Sequence, residues 1–538
     1  MRVYSYHTFI LPFVWEGTDE HRRTMEEFAG CFRDNPNWVC TDMPDEYYIR
    51  RSPALVNNAD VTLLYKEYQY FHPFVRKAIY GFGENIVTNF SFMPDKIRNK
   101  GHYYITKNGR TYDLTVNGIK LKIFNTGVAL FIMECENRGR DADGNPQNDF
   151  ASVKNINNYG RRISLPFIPA ADQPDISLCA DRLCVETEGI FRFEDDYRAF
   201  IERVHTGGEL YEKISLTHMC GFVKDILGFG SLRHFTSKRR NEEHGDFYIY
   251  PALDDRMFVC CLMADKAVTR ETLLLRDGEY AYQRDEAASK SLYEFIFVDP
   301  DGKCSCPTRS TRLDLLKSHI YDRWLGDGDQ YISIVTMTAQ NMMMLADSAP
   351  DFLIDNFLTQ YIQMSCLTLA QRATLIHFQR EASNLSEKVE KTGRSMNRVT
   401  IMKLMNLQER FVAYRSQLHF TEVTPQEQGI EMYDMMRGLM FIERETESLD
   451  KHLESLNEAA ETNLDFGFNR IALIFTWISC ILAVMQNAMC FFASVDNKNN
   501  QPVFAYVRGN VSLTVISLTI TSLLVALLVI LYRYRRRK

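Results

Sequence analysis

The sequence lacks the short motifs by which many enzymes are recognised. None of its 12 histidines belongs to a His-Glu-x-x-His arrangement, and it contains no Gly-x-Ser-x-Gly. The first arrangement supplies the ligands and the base of a zinc protease, and the second presents the nucleophile of an α/β-hydrolase. No other set of residues forms a catalytic constellation at motif spacing. We therefore expect a protein that is not an enzyme, and we expect no cofactor.

Cysteine pairs with metal-site spacing are also missing. The 13 cysteines are scattered, and only Cys260-Cys261 and Cys304-x-Cys306 lie close together. Neither pair has the two-residue gap of a zinc knuckle. The first residues lack the apolar region and the cleavage site of a secretory signal, so we expect reduced thiols. A metal site formed by Cys304 and Cys306 stays open as an alternative.

Charge of one sign does not dominate the composition. Hydrophobic residues make up 46 % and charged residues 24 % of the chain, which excludes disordered and collagen-like proteins. The net charge is -7, and the most concentrated basic segment is the tail 533-538. An acidic body with a basic tail lacks the broad basic face of a nucleic-acid-binding protein. We expect no direct nucleic-acid partner.

Two long segments contain no charged residue, namely 471-495 and 509-532. Each exceeds the roughly 20 residues that span a bilayer, so the sequence predicts two transmembrane helices and excludes a purely soluble protein. The polar residues 496-508 then form a short outer loop. Because the basic tail 533-538 follows the second span, the positive-inside rule places both termini in the cytoplasm.

Residues 1-340 are predicted to form an α/β cytosolic domain. Asn108-Gly109 and Asn117-Gly118 separate apolar runs, and Asn-Gly is a strong hairpin signal because both central positions need a positive φ. The predicted strands are Tyr103–Thr106, Thr111–Val116, Lys120–Asn125, Val128–Cys135, Phe247–Tyr250, Met257–Met263, Leu292–Val298 and Gln330–Met337. Between them, the polar residues Asn137 to Gly160 are interpreted as a long loop.

Residues 341-470 are predicted to form a helical stalk. Helices are expected at Asp351 to Lys391, at Ser395 to Phe420 and from Thr424-Pro425 onward. The third helix carries apolar residues in a 4-3-4-3 rhythm, which is a heptad seam that favours partner helices. We call these residues the seam: Met435, Leu439, Ile442, Thr446, Leu449, Leu453, Leu456 and Ala460. The rhythm continues almost to the first apolar span, so one helix is expected to enter the bilayer directly.

The layout of the chain resembles the CorA superfamily of divalent-cation channels. The shared features are an α/β domain, a long stalk helix, a first span, a short outer loop, a second span and a basic end. The resemblance covers about Asp351 to Lys538. It implies a funnel-shaped homopentamer in the bacterial inner membrane, with the first span lining the pore and Mg²⁺ or another divalent cation as the transported ion. The fold class expected is thus an α/β cytosolic domain followed by a long helical stalk and two transmembrane helices.

The sequence departs from that family at the pore. The family's Gly-Met-Asn motif is absent, and the corresponding region reads Ala483-Val484-Met485-Gln486-Asn487. Amides at membrane depth tend to face a bundle interior or a pore, so Gln486 and Asn487 are the candidate pore residues. An interhelical hydrogen bond is the alternative interpretation of both.

The cytosolic part is larger than that of an ordinary family member. Enlarged members resemble the CorA-type effectors of type III CRISPR systems, which implies gating by a nucleotide second messenger, S-adenosylmethionine conjugated to AMP. The first functional hypothesis is therefore a ligand-gated pore that acts in antiviral defence. A housekeeping magnesium or divalent-cation transporter is the second, and an enzyme tethered to the membrane is the third.

Two segments are candidates for binding such a ligand. The first is Asn158, Tyr159, Arg161 and Arg162, since paired arginines suit a phosphate and an Asn or Tyr can hold a base. Its alternative is a solvated loop with a surface arginine pair. The second candidate is the Lys224-Asp225 pair among glycines, where the carboxylate could accept from ribose hydroxyls. Its alternative is a helix start with a surface ion pair.

Overall fold

The structure is a computed structural model of the chain. It describes residues 3–17, 24–43, 66–83, 85–163, 177–199, 221–228, 235–236, 246–254, 256–325, 331–391, 398–460 and 474–481. The chain divides into two compact units. The first comprises 1–388 and 402–453, and the second comprises 389–401 and 454–538.

The first unit is built on one mixed sheet, to which the described residues contribute 14 strands. The strands are β1 Ser5–Gly17, β2 Trp38–Cys40, β3 Val87–Phe92, β4 Gly101–Lys107, β5 Arg110–Phe124, β6 Val128–Asn137, β7 Arg182–Thr187, β8 Phe191–Asp196, β9 Phe235–Thr236, β10 Phe247–Pro251, β11 Phe258–Ala264, β14 Ile320–Tyr321, β15 Ser333–Thr338 and β16 Asn341–Ala346. A separate hairpin consists of β12 Leu275–Arg276 and β13 Glu279–Tyr280. The main path runs β14-β15-β16-β11-β1-β6-β5-β4-β7-β8.

Strand β1 lies at the centre of this sheet. It pairs with β6 along most of its length, with β11 beside its first half and with β10 beside its second half, always antiparallel. A strand that has neighbours on both edges and is covered on both faces needs apolar residues at nearly every position. The sequence of β1 meets this requirement, because Phe9, Ile10, Leu11, Phe13 and Val14 are all buried.

The helices connect and cover the strands. They are α1 Met25–Arg33, α2 Pro73–Tyr80, α3 Pro94–Ile97, α4 Phe150–Gly160, α5 Gly221–Leu227, α6 Lys266–Leu273, α7 Ala281–Arg284, α8 Glu286–Phe297, α9 Arg309–His319, α10 Asp351–Asn356, α11 Ile362–Lys391, α12 Arg398–Gln417, α13 Glu427–Leu439, α14 442–460 and α15 474–481. A π-helical turn, Phe357–Tyr361, joins α10 to α11. Residues 66–70 are also helical.

The sheet carries a core on each of its faces. On one face, α1, α4, α5 and α8 bury their apolar sides against strand residues such as Phe9 and Tyr103. On the other face, Ala373 of α11 packs among Val14, Val128 and Tyr250. Helix α11, which was predicted as part of a stalk, is therefore a packing layer of the sheet.

The Asn-Gly prediction is confirmed at one site and wrong at the other. Asn108 and Gly109 have φ values of +51° and +80° and form the two-residue turn between β4 and β5. Asn117-Gly118 instead lies inside β5, at a register shift between Val116 and Gly118 opposite β6. A bulge accommodates an extra residue within a strand, and glycine is common there. The two strands predicted around this position are therefore one long strand.

Two segments predicted as strand and loop are helical. All of the predicted strand Leu292–Val298 except Val298 belongs to α8, whose start is capped by the Asp285 carboxylate, an acceptor for the backbone amides of Ala287 and Ala288. A short apolar run does not distinguish a buried strand from a buried helix. The capping aspartate before it is the local signal that indicates a helix. The end of the predicted loop Asn137 to Gly160 is likewise helix α4, capped by Asp149.

The predicted continuous stalk helix is interrupted. Helix α13 ends at Leu439, and Phe441 takes a left-handed conformation with a φ of +58° before α14 begins. The seam residues of α14 are buried within the single chain, Leu449 to 1 % exposure and Leu453 to 3 %. The amide of Gln379 on α11 donates to Glu445 at 2.6 Å. The helices of one chain therefore already cover this part of the seam, and the homopentamer stays a prediction.

The predicted membrane part is corrected. In the portion of the chain that the structure describes, no helix has the length and apolar character needed to cross a bilayer. Only 474–481 of the first predicted span are described, which is shorter than the roughly 20 residues required. The second span 509-532 and its flanks 496-508 and 533-538 lie outside the described residues. This finding contradicts the predicted fold class with two transmembrane helices. It also contradicts the predicted location in the bacterial inner membrane.

Candidate functional site: a buried arginine at the end of helix α4

Helix α4 positions most of the first candidate segment. Its amino end is capped by Asp149, whose carboxylate accepts from the backbone amide of Ser152 at 2.8 Å and from the Ser152 hydroxyl at 2.6 Å. Val153 and Ile156 pack into the core, as expected for the inner face of a helix lying on a sheet. The polar residues that follow, Asn157 and Asn158, are nevertheless also buried.

The end of α4 is fixed against the sheet at Gly160. The Tyr103 hydroxyl of β4 donates to the Gly160 carbonyl oxygen at 2.6 Å. A Cβ atom at this position would lie 2.7 Å from Cδ1 of Ile105 and 3.0 Å from Cζ of Phe9. Glycine therefore permits the close approach that brings the next residue, Arg161, into the interior.

A chain of buried polar groups runs from β6 through β1 to α4. The Asn137 amide donates to the Ser5 hydroxyl at 3.1 Å, and Ser5 Oγ lies 2.8 Å from Nε2 of His7. Nδ1 of His7 lies 2.7 Å from Oδ1 of Asn157. The distances suit one consistent pattern, in which Ser5 donates to Nε2 and the Nδ1 proton is donated to Asn157.

Ser5, His7 and Asn157 have the contacts of a nucleophilic triad, but their burial indicates a structural role. Ser5 is 1 % exposed, and its oxygen is already occupied by Asn137 and His7. A nucleophile must meet its substrate, so this arrangement does not support acyl transfer. Burial lowers the pKa of His7 to about 4, opposed in part by its hydrogen bond to Asn157.

We expect His7 to make the protein less stable in acid. The unfolded chain takes up the proton near pH 6.5, whereas the folded protein does so only near pH 4. Stability is therefore lost as the pH falls through this window, by about 3 kcal/mol for the whole shift. We expect the free energy of unfolding of the parent, measured relative to that of His7→Gln by denaturant titration, to be about 3 kcal/mol lower at pH 4 than at pH 7.

His102 provides a control of opposite sign. Its hydrogen bond to Asp113, 2.8 Å long, raises the pKa of His102. A raised pKa in the folded state adds stability below the unfolded pKa, so the difference between the parent and His102→Gln should grow as the pH falls. Equal pH profiles for the two variants would contradict the assignment of the acid-sensitive step to His7.

Arg161 is the least satisfied cation in this region. It is 3 % exposed, and its Nη2 donates to the Val298 carbonyl oxygen at 3.2 Å. Its Nε and Nη1 groups are buried and have no hydrogen-bond partner among the residues that the structure describes. No ion pair joins its guanidinium to a carboxylate of the described residues. Buried charges are normally paired, so this group requires an explanation.

Two positive and two negative side chains act on Arg161, and the two arginines have the larger effects on its pKa. Burial, together with Arg256 and Arg162, lowers the pKa of Arg161 to about 9, while Asp254 and Asp299 act in the opposite direction. Asp254 already accepts from Nε of Arg256 at 2.8 Å. The side chains of Arg256 and Asp254 are 26 % and 29 % exposed, so the cluster reaches the solvent at this pair.

Lys154, on the same helix, shows how a buried cation is ordinarily satisfied. Its Nζ lies 2.6 Å from Glu294 and 2.5 Å from Asp301, and it also donates to the Ser291 hydroxyl at 3.2 Å. Lys154 is as buried as Arg161, at 3 % exposure. The contrast shows that this core does supply carboxylates to a buried cation, and that Arg161 has not received one.

The other residues of the first candidate segment are also buried. Asn158 is 2 % exposed, and its Nδ2 has no hydrogen-bond partner in the described part of the chain. Tyr159 is buried beside Lys107, whose Nζ lies 5.4 Å from the ring centre. Arg162 pairs with Arg256 in an isolated β-bridge and is 9 % exposed. Neither arginine is therefore a solvated surface residue, which was the alternative interpretation.

The second candidate segment forms helix α5. The Asp195 carboxylate accepts from the backbone amides of Gly221 and Phe222, at 2.8 and 3.0 Å, and so caps this helix. Asp225 is exposed and Lys224 is half-buried. Burial raises the pKa of Asp225, and Lys224 acts against this. The arrangement is that of a capped helix with outward charges, and ligand binding by these two residues stays a prediction.

The remaining candidates give no site. Gln486 and Asn487 lie outside the described residues, so their role in a pore stays a prediction.

The Cys304 thiol donates to the Cys306 carbonyl oxygen at 3.4 Å, and the Cys306 thiol points to the Thr308 carbonyl oxygen at 3.7 Å. Both thiols thus contact backbone oxygens, and burial raises the pKa of Cys304, which disfavours the thiolate that a metal needs.

Sequence reasoning missed Ser5, His7 and Arg256. Ser5 and His7 stand two residues apart in an otherwise apolar strand, and side chains at i and i+2 share a face of the sheet. That polar pair was a usable signal. Arg256 had no usable signal in the sequence, because a β-bridge to Arg162, which is distant in the chain, brings it to the site.

Comparisons with known proteins assign no relative to this arrangement. No family model matches the sequence, and no curated protein matches it. The resemblance to the CorA superfamily therefore stays a prediction that is based on the layout of the chain.

Proposed function

We propose that this chain is a receptor for a small phosphate-bearing ligand, which binds at Arg161. The ligand class is that of the nucleotide messenger implied by the resemblance, S-adenosylmethionine conjugated to AMP. Conduction of ions is not part of the proposal, because Gln486 and Asn487 lie outside the described residues.

The buried guanidinium of Arg161 carries the proposal. Two of its donor groups have no partner within the described ranges of the chain, and two further arginines lie nearby. A phosphate oxygen would accept from those donors and would neutralise part of the excess positive charge. Hydrogen bonds between charged partners are the strongest ones available to a protein, and burial strengthens them further.

The neighbouring groups support a phosphate ester rather than a bare halide. The Asn158 amide is a second donor without a partner, and it is held on the same helix end as Arg161. Several donors at different positions suit an anion with several acceptor oxygens. The exposed side of the Arg256–Asp254 pair supplies the cluster's contact with solvent.

Titration calorimetry on the purified full-length chain tests the proposal. We expect the messenger to bind the parent, AMP to bind more weakly, and inorganic phosphate to bind more weakly still. In Arg161→Met the loss of a charge-assisted contact should weaken binding of the messenger by at least ten- to hundred-fold, which corresponds to about 1.5–3 kcal/mol.

Lys224→Met is the matched control, since it removes one positive charge from the second candidate segment. It should bind the messenger as the parent does. If Arg161→Met retains full affinity while Lys224→Met loses it, the site lies on helix α5 instead. If none of the three compounds binds the parent, the proposed function is wrong.

A further inference from the structure

A second group of polar side chains lies on the opposite face of the sheet from Arg161. His377 and Glu381 stand one turn apart on α11, and Glu16 lies near the end of β1. Each of these three residues places a ligand atom within 4.8 Å of the others. His377 is 3 % exposed, whereas the side chains of Glu16 and Glu381 are each 27 % exposed.

The contacts of Nε2 of His377 leave the other ring nitrogen as an acceptor in one of the two tautomers. Nε2 lies 3.0 Å from Oε1 of Glu381 and 3.5 Å from Nη1 of Arg410. In the tautomer with its proton on Nε2, that proton faces the closer carboxylate and Nδ1 is a lone-pair acceptor. Nδ1 is buried, has no hydrogen-bond partner among the described residues, and lies 3.8 Å from Oε1 of Glu16. Two electron-pair donors that face each other at this distance define a position suited to a cation.

The second carboxylate holds the imidazole in place. Glu381 Oε2 is paired with Arg410 of α12, and this ion pair together with His377 lowers the pKa of Glu381. Gly127, with a φ of +92°, leaves room for the ring, because a Cβ there would lie 3.2 Å from Nε2. A histidine that donates one N–H to a carboxylate and presents the other nitrogen is the usual arrangement of a metal ligand.

We propose that Nδ1 of His377 and the carboxylate of Glu16 bind one divalent transition-metal ion, with Glu381 orienting the imidazole. Ligand atoms about 2.1 Å from a common metal ion are at most about 4.2 Å apart, which the observed 3.8 Å satisfies. One imidazole nitrogen and one carboxylate favour Zn²⁺, Co²⁺ or Mn²⁺ over Mg²⁺. The partly exposed Glu16 gives the ion access to solvent, and water completes the coordination.

Titration with Co²⁺ tests this site in the full-length chain after treatment with a chelator. We expect the parent to bind one Co²⁺ per chain at this position, seen as visible absorption bands and as heat. Glu16→Gln keeps the size of the side chain and its contact with the Tyr250 hydroxyl, which lies 2.7 Å away. It should weaken this binding at least ten-fold, and His377→Gln should abolish it.

His72→Gln is the control, because His72 pairs with Glu422 at 2.8 Å on the surface without a third ligand. It should bind Co²⁺ as the parent does. Absence of Co²⁺ binding in the parent would overturn the proposal. Equal binding by the parent and Glu16→Gln would overturn it as well, in a variant that is expected to fold.

Discussion

Lys154→Met is expected to lower the free energy of unfolding by about 3–5 kcal/mol, since it removes one partner of a buried ion pair. Glu294, which is 4 % exposed, would keep its charge in the core with its closest cation gone. Arg161→Met should instead leave the free energy of unfolding within about 1 kcal/mol of the parent, or raise it, in ligand-free protein. As far as the described residues show, the charge removed there has no carboxylate partner, and the loss is limited to one hydrogen bond to Val298.

Urea denaturation of the two variants, in buffer without phosphate, measures this difference directly. Both substitutions replace a long cation of 3 % exposure on or next to α4 by methionine, so each serves as the control for the other. A loss of 3 kcal/mol or more in Arg161→Met would show that Arg161 is a structural cation, and the proposed ligand site would then lose its support.

Leu449→Asp is expected to destabilise the chain even more than Lys154→Met. Leu449 is 1 % exposed on α14 within the first unit. The substitution leaves a cavity and places a carboxylate where it has no partner, and each of these costs about 2 kcal/mol or more. We expect the isolated chain to be unfolded or close to unfolding, as measured by circular dichroism and urea denaturation.

Val412→Asp is the matched control for this prediction. Val412 lies on α12 and is 65 % exposed, so the same change of charge should alter the free energy of unfolding by no more than about 0.5 kcal/mol. If Leu449→Asp lost only oligomerisation while each chain stayed folded, the seam would act between chains. That result would contradict the packing of the seam within one chain.

The seam illustrates the limit of periodicity as a guide to architecture. A 4-3-4-3 rhythm shows that a helix has an apolar stripe, but the same stripe fits a helix of another chain and a helix of its own chain. In this protein α11 supplies the contact. The helical character of 351–391 was predictable from its apolar spacing, but the π-helical turn Phe357–Tyr361 within it was not. The start of α13 lies close to the predicted Thr424-Pro425, although Gln426 takes the N-cap position and makes no side-chain cap. The left-handed Phe441 that interrupts the stalk was not predictable, because it has no local signature.

The strands show the same division between local and long-range information. The turn at Asn108-Gly109 was predictable because its residues must adopt positive φ. Asn117-Gly118 has the same composition but lies opposite β6 across a bulge, and only the pairing of β5 with its neighbours decides between the two outcomes. The apolar run at Leu292 is too short for its periodicity to separate strand from helix.

The candidate site was predictable in its residues but not in its environment. Adjacent arginines after a glycine suggested phosphate chemistry, and the structure adds that Gly160 brings Arg161 into the core. The absence of a carboxylate partner among the described residues, and the nearby Arg256, depend on contacts between segments far apart in the chain. No pattern in the sequence encodes such contacts.

Thermal unfolding at increasing concentrations of the messenger tests the central claim most directly. A ligand that binds only the folded chain stabilises it by about 2.7 kcal/mol at a hundred times its dissociation constant. We predict that the midpoint of the parent rises steadily with the logarithm of ligand concentration, and that Arg161→Met needs at least ten- to hundred-fold more ligand for the same rise. A parent midpoint that does not move, or an Arg161→Met midpoint that rises with that of the parent, would contradict the assignment of Arg161 as the phosphate-binding residue.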